Sequence, residues 1–417
     1  MVIAAKVATV CVVGAGYVGL PLSQAFARNY RVITFDINAE KVIDLTAKNT
    51  NPNHTFTTDP GQISEADFIF ICVPTLLSES KQPDMSYLTA AGVCVGRHMK
   101  RGAIVILESS VFPGATEELL KPVLEEESGL ECGKEFKIAY SPERINPGDD
   151  HHAVERVVKL VAACDEDALE QVADLYSRVT TRVYKCPNIR TAEAAKLVEN
   201  TQRDVNIALM NELSILFHEM EINMGDVLEA AATKWNFQKL SPGMVGGHCI
   251  PVVPYFLVSK AEELGLRTDV ILAGRSVNDH MPEHIAKLAI KSLTGTGKAL
   301  ERSNVLIMGC TYKENVADTR ESPVKDVISI LQGYGIKVSG YDPLVIDGAA
   351  EFGIEFVDSL GELPEVDCII LAVAHDCFKQ AGHRCKEILK QGGTVIDVKG
   401  CLDTSEIQGS GIIYHRL

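Results

Sequence analysis

TVCVVGAGYVGLPLSQAF, residues 9–26, runs from a continuous β-branched stretch through three glycines into helical spacing. Gly14, Gly16 and Gly19 form G-x-G-x-x-G where a strand gives way to a helix. The first glycine permits a tight turn, the second lets backbone approach a pyrophosphate, and the third lets the helix pack closely on the strand. Tyr17 and Val18 lie between them, at a helix N-terminus whose free N–H groups and partial positive charge suit a phosphate. Asp36 ends the next strand, RVITFDIN, about 20 residues further on. A carboxylate there suits the ribose hydroxyls of NAD and repels the extra phosphate of NADP. Lys41, just beyond, is either a contact to the adenosine phosphate or a solvated charge. The stretch therefore predicts an N-terminal Rossmann domain with NAD as the cofactor.

Working outward, ADFIFICVPT, GAIVILESS, FKIAYSPER and VVKLVAAC add apolar runs separated by helical stretches. That alternation predicts a parallel sheet covered on both faces. From residue 191 the character changes. TAEAAKLVENTQRDVNIALMNELSILFHEMEI has helical spacing and neither Gly nor Pro, and PYFLVSKAEELG and PEHIAKLAIKSL read as further helices. After a linker, LTGTGKALERS, strand–helix alternation returns. SNVLIMGC, IKVSGYDP, VDCIILAVAHD and GGTVIDVKG repeat, in order, the pieces of the first segment without its glycine fingerprint. The expected fold class is α/β. A Rossmann domain (1–190) and a C-terminal Rossmann-like domain (299–417) are joined by a central helical domain (191–298).

The 417-residue chain is 46% hydrophobic and carries a formal net charge of −16. Nucleic acid is therefore not an expected partner, because phosphate backbones need a basic surface. No apolar run reaches the roughly 18 residues of a membrane span, and the N-terminus lacks signal-peptide form, so a cytoplasmic protein is expected. Twelve cysteines show no C-x-x-C pair and no clustered Cys/His spacing, so no metal site is expected.

Four further segments carry reactive side chains. GGHCIPVVPYFL, 246–257, puts Cys249 on a glycine- and proline-flanked loop, unlike the cysteines in the apolar runs. Lys196 and Asn200 share one face of the long helix, a spacing that equally suits a solvated pair. Glu143 and Arg144 follow a strand, at the edge where α/β ligands bind, and in isolation also read as a turn with an ion pair. Lys313 and Arg320 lie in a loop after the first strand of the second α/β segment, fit for phosphate.

Taken together, GAGYVG, CVPT, SPERINPG, AEAAKLVENTQRDVNIALMNE, GGHCIPV and YKENVADTRESP resemble the UDP-glucose/GDP-mannose dehydrogenases along nearly the whole chain. KWNFQKLSPGMVGGHCIPV looks most like the branch acting on UDP-N-acetylhexosamines. The resemblance implies NAD-dependent oxidation of a sugar C6 alcohol to a carboxylate through a cysteine thiohemiacetal and thioester, in a homodimer built on the central helices. It implies Cys249 as nucleophile, Lys196 and Asn200 as oxyanion stabilisers, Glu143 as acid/base through water, and Ser110, where the family often has Thr, positioning water near the nicotinamide. Thr75 and Arg320 are implied NAD contacts. Lys313, Arg144, Arg275 and the segment with Gly243, Gly246 and Gly247 are implied contacts to the sugar nucleotide.

One position departs from the family pattern. An Asp usually stands four residues after the cysteine, and Val253 stands there here. The sequence therefore leaves other readings open: a dehydrogenase for another sugar nucleotide, such as UDP-N-acetylmannosamine or UDP-glucose, or a catalytically impaired NAD- and sugar-nucleotide-binding protein.

Overall fold

The computed structural model describes residues 8–144, 154–295, 297–362, 365–403, 405, 407 and 410–417. These form two compact units, the first comprising residues 1–199 with 255–266 and the second 200–254 with 267–417.

The first unit holds an eight-stranded sheet: β1 (Thr9–Val13), β2 (Arg31–Phe35), β3 (His54–Thr57), β4 (Phe68–Ile71), β5 (Ile104–Leu107), β6 (Lys137–Tyr140), β7 (Val158–Ala163) and β8 (Arg182–Lys185). Their order is 8-7-6-5-4-1-2-3, so the topology reverses between β1 and β4. Helices α1 (Gly19–Phe26), α2 (Ala39–Lys48), α3 (Ser86–His98), α4 (Lys121–Ser128) and α5 (Glu166–Ser177) accompany it. Successive β1 residues feed opposite cores: Cys11 and Val13 pack with Ile33, Ile69 and Val105, while Val10 and Val12 pack with Phe26, Phe70 and Tyr176. This two-faced burial is why the strand reads as an unbroken apolar run.

Two strands depart from the expected parallel sheet. β7 runs antiparallel to β6, with Ala139 opposite Ala163, and β8 is then parallel to β7. A parallel neighbour needs a crossover, usually helical, and the intervening SPERINPG, with prolines at 142 and 147, has no helical pattern. The end of that motif, residues 145–148, lies outside the described residues.

The central helices are α6 (Ile189–Glu219), α7 (Met224–Ala231), α8 (Val253–Glu263) and α9 (Asp269–Gly295). α6 spans 31 residues, as its uninterrupted pattern predicts. α9 begins well before PEHIAKLAIKSL and carries Pro282 in its interior. Proline removes one helical hydrogen bond; burial of Met281 and Ile285 on either side keeps the helix continuous.

The second sheet lies wholly in the second unit. It comprises β9 (Asn304–Met308), β10 (Lys337–Tyr341), β11 (Glu355–Phe356), β12 (Val366–Leu371), β13 (Leu389–Asp397) and β14 (Ile413–Arg416), all parallel, with α10 (Val324–Gly333), α11 (Gly348–Phe352) and α12 (Gly382–Ile388). Its order, 11-10-9-12-13-14, is the third-second-first-fourth-fifth-sixth order of the first sheet. The sequence echo is thus an echo of topology. Among the described residues no helix is long and apolar enough to cross a membrane.

Candidate active site

In the first unit the site begins at the β1–β4 reversal, where open α/β sheets bind ligands. Gly14 has φ +100°, and its amide donates to the Phe35 carbonyl at 2.8 Å. A Cβ on Gly19 would stand 1.9 Å from the Gly14 carbonyl oxygen, so only glycine lets α1 approach the turn. A Cβ on Gly16 would meet nothing within 4 Å: this backbone faces open space, the cradle a pyrophosphate needs. Tyr17 is 53% exposed beside it, and Val18 leads into α1.

Asp36 accepts the amides of Ala15 at 2.8 Å and Asn38 at 2.9 Å, and the Lys41 ammonium at 3.2 Å. Burial pushes its carboxyl up, but the Asn38, Ala15 and Lys41 hydrogen bonds outweigh that and hold it below the usual carboxylate range. Lys41 is thus tied to Asp36 in this structure. On the other side of the reversal, Thr75 Oγ1 donates to the Ser110 carbonyl at 2.7 Å and Ser109 Oγ to the Val73 carbonyl at 2.6 Å. The loops after β4 and β5 therefore bring Thr75 and Ser110 together. The glycine cradle and the ionised Asp36 fit NAD.

The loop after β6 is clamped to α6. Lys196, 5% exposed, donates to the Glu143 carbonyl and lies 3.6 Å from its carboxylate. Arg144 makes a two-pronged pair with Glu199, 2.7 and 3.2 Å, and donates to the Val158 carbonyl at 2.6 Å. Burial raises the Glu143 carboxyl; Lys196 and Lys159 oppose the rise, and Glu108 adds to it. A buried carboxyl lifted above the usual carboxylate range beside an ammonium is better placed to hold and release a proton than an exposed one. Asn200, one turn on, has a buried Nδ2 with no hydrogen-bond partner among the described residues.

In the second unit, Gly243 donates to Asn211 Oδ1 at 2.7 Å and accepts from Asn211 Nδ2 at 3.0 Å, and Asn278 joins at 2.8 Å. Gly247, at φ +82°, donates to the Glu321 carbonyl at 3.3 Å. Cβ atoms on Gly246 and Gly247 would strike Pro323 and Tyr312 respectively, so the glycine loop lies flat on the 312–323 loop that carries Lys313 and Arg320. Cys249 is exposed on it. The neighbouring His248 keeps a buried, unpartnered Nε2; burial and Arg320 hold it below the ordinary histidine range, against Glu321 and Asp318. Lys313 is half-buried, and Arg320 forks onto Asp318 at 2.7 and 2.9 Å. Arg275, 2% exposed, pairs with Asp204 at 2.6 Å and with Asp279.

Family models cover this arrangement from end to end. They are the NAD-binding domain of the UDP-glucose/GDP-mannose dehydrogenase family at residues 8–180, its central domain at 190–280 and its UDP-binding domain at 306–404. The chain belongs to this family. It is an NAD-dependent nucleotide-sugar 6-dehydrogenase. It is 43% identical over 415 residues to protein CapL of Staphylococcus aureus, covering 96% of this chain and 98% of that one. It is 42% identical over 410 residues to the UDP-N-acetyl-D-glucosamine 6-dehydrogenase of Pseudomonas aeruginosa, covering 94% and 97%. A solved UDP-D-ManNAc dehydrogenase from Pyrococcus horikoshii superposes with TM-score 0.88 at 30% identity, covering 98% of each chain.

Sequence reading passed over several side chains that build the dehydrogenase's loops. Glu193 on α6 accepts the amides of Gly114 and Thr116, fixing the loop that follows Ser110. Asn211 and Asn278 hold Gly243. Lys399, at the end of β13, donates to the Pro242 carbonyl at 3.3 Å; burial lowers its pKa, with Glu314 opposing. Glu193 and Asn211 lie within AEAAKLVENTQRDVNIALMNE, and Lys399 is the polar end of GGTVIDVKG, but none of these stretches announces the loop its side chain holds.

Proposed function

We propose that this dehydrogenase oxidises the C6 alcohol of a UDP-N-acetylhexosamine to the uronate, supplying a precursor for polysaccharide assembly, with Cys249 holding the sugar between two oxidations. The observation that carries this reading is the exposed Cys249 thiol on a glycine loop packed on the 312–323 loop of the UDP-binding domain. The higher identity to the UDP-N-acetyl-D-glucosamine enzyme, 42%, than to the UDP-N-acetyl-D-mannosamine dehydrogenase of Pyrococcus horikoshii, 34%, favours a glucosamine-type substrate.

Each of two NAD⁺ molecules, when bound, accepts one hydride. The alcohol loses its hydroxyl proton with the first hydride and becomes an aldehyde. The Cys249 thiol adds to the carbonyl carbon, forming the C–S bond while its proton goes to the carbonyl oxygen. The resulting thiohemiacetal loses its hydroxyl proton with the second hydride and becomes a thioester. Water attacks the thioester and the C–S bond breaks; one water proton returns to the sulfur, regaining the Cys249 thiol, and the other leaves as the carboxylate forms. Covalent capture keeps the aldehyde from diffusing away. Glu143 takes and returns protons through water, Lys196 and the unpartnered Asn200 amide donate to the oxyanion, and Ser110 orients water. Thr75 and Arg320 hold NAD. Lys313, Arg144, Arg275 and the Gly243–Gly247 backbone hold the sugar nucleotide.

A panel of UDP- and GDP-sugars with NAD⁺, read by NADH absorbance, tests the reading. Two NADH per sugar are expected with a UDP-N-acetylhexosamine. One per sugar identifies a simple alcohol dehydrogenase, and none a silent binding protein. In Cys249→Ser, steady turnover is expected to collapse while NAD⁺ and the sugar nucleotide still bind; native turnover in that variant rules out the thioester route.

The dimer belongs to the same proposal. α6 exposes Val198, Leu209 and Leu216 on one stripe, continued by Met220 beyond its end. A helix that shows water an apolar stripe fits burial against a second copy.

A further inference from the structure

Beneath Glu143 lies a buried charged cluster that the chemistry above does not use. Glu108, just past β5, is 1% exposed, Lys159 in β7 is 3% exposed, and Tyr176 in α5 is fully buried. The Lys159 ammonium lies 2.7 and 2.9 Å from the two Glu108 oxygens. It also donates to the Pro142 carbonyl at 2.9 Å and the Ser141 carbonyl at 3.4 Å. Tyr176 donates its hydroxyl to Glu108, and its ring centroid lies 5.0 Å from the ammonium. The Glu143 amide completes the arrangement, donating to the Glu108 carbonyl at 3.4 Å.

Fold stability does not account for such a pair. A buried ion pair can often be replaced by packed apolar side chains at little cost. What this pair does have is an address. Its ammonium grips the two carbonyls immediately before Glu143. Glu108, Glu143 and Lys159 also line a common cavity of about 10 Å³, closed by Val18, Leu22 and Val154, with room for about one water molecule.

We infer that Lys159, paired with Glu108, is a positioning residue for Glu143: it pins the Ser141 and Pro142 carbonyls that aim Glu143 and keeps a positive charge beside its carboxylate. The inference rests on the acid/base role given to Glu143 above. Charge and position separate in two variants. Lys159→Met removes the positive charge that favours the Glu143 carboxylate, so the acidic limb of the kcat–pH profile should move to higher pH. With the carbonyls unpinned, kcat should fall about tenfold to a hundredfold. Glu108→Gln combined with Lys159→Met removes both opposing charges. The limb should then return toward its native position while kcat stays low, and this variant carries the test if Lys159→Met does not fold. Affinities for NAD⁺ and the sugar nucleotide should hold within about twofold in both, a change of under about 0.5 kcal/mol.

A folded Lys159→Met enzyme with native kcat and an unmoved limb overturns the inference. So does recovery of full kcat in the double variant. Glu143→Gln tells the two readings apart. If it keeps the acidic limb, the role of Glu143 falls and this inference with it. If it loses the limb while Lys159→Met leaves it unmoved, only this inference falls.

Discussion

Val253 begins α8 with 2% of its surface exposed, and its amide donates to the Cys249 carbonyl at 3.0 Å. It is a core residue on the turn that carries Cys249, the nucleophile of the proposal, one helical step from the thiol's own backbone. A carboxylate there would sit in the first turn of α8, where the helix dipole favours negative charge. Val253→Asp is expected to raise kcat at least about tenfold, the lower part of the range for an added proton-handling group, with NAD⁺ affinity unchanged. Steady-state NADH traces on both proteins check this, and equal rates remove position 253 from proton handling. Asp36 makes a second residue-scale test, because Lys41 is tied to it at 3.2 Å. Asp36→Ala removes the ribose acceptor and frees an ammonium for a 2′-phosphate. NAD⁺ should weaken roughly tenfold or more and NADP⁺ should bind better. Equal binding of both cofactors by the native protein would refute the role given to Asp36.

α6 shows what an element adds to its residues. Glu193, Lys196, Asn200, Asp204 and Asn211 fall at spacings of three, four, four and seven, on one face, and each makes or lacks a buried polar contact. Val198, Leu209 and Leu216 fall on the opposite face and are 57%, 51% and 51% exposed. The helix is amphipathic in reverse, with buried polar side chains on one face and an exposed hydrophobic stripe on the other. Leu209→Glu with Leu216→Glu is expected to convert a native dimer to a monomer, read as halved mass in light scattering. A native protein that is already monomeric removes the second copy from the proposal.

At the scale of the whole molecule, each unit buries a histidine that stays neutral. His54 is stacked on Phe56 and bonded to Thr34 at 2.8 Å, and burial lowers its pKa to about 4. His284, with an unpartnered buried Nε2, is lowered to about 4 by burial, with His218 and His280 adding to the shift and Glu219 opposing it. Both begin from an ordinary value of 6.5. Below pH 6.5 the unfolded chain takes up protons that the folded chain refuses until about pH 4. Their contribution to stability is therefore complete above pH 6.5 and lost as the pH falls toward 4. Melting temperature should drop by several degrees across that window, and His54→Gln should flatten part of the slope. A native profile that is flat between those limits contradicts the burial argument.

The α/β class, the NAD cradle, the long helix and the repeated second sheet are all legible in the order of residues along the chain. Each rests on local physics: apolar runs buried on two faces, glycines required by a turn and a close approach, and periodicity unbroken by proline. The same locality explains the errors of detail. The lack of a helical pattern in SPERINPG goes with the reversal of β7 and β8 but does not by itself dictate it, and Pro282 reads as a helix start although burial around it carries α9 through. The cradle was legible where a short motif holds its own geometry, as at Gly14–Gly19, and the exposure of Cys249 followed from its glycine- and proline-flanked loop. The site was not legible where function rests on a pair distant in sequence. Glu193 with Gly114, Lys159 with Glu108, and Asn211 with Gly243 are ordinary polar residues in the chain, separated by 79, 51 and 32 positions. Only the tertiary structure decides such pairs, because a buried polar group is stabilised by the particular partner the fold brings to it, and sequence spacing does not encode that partner.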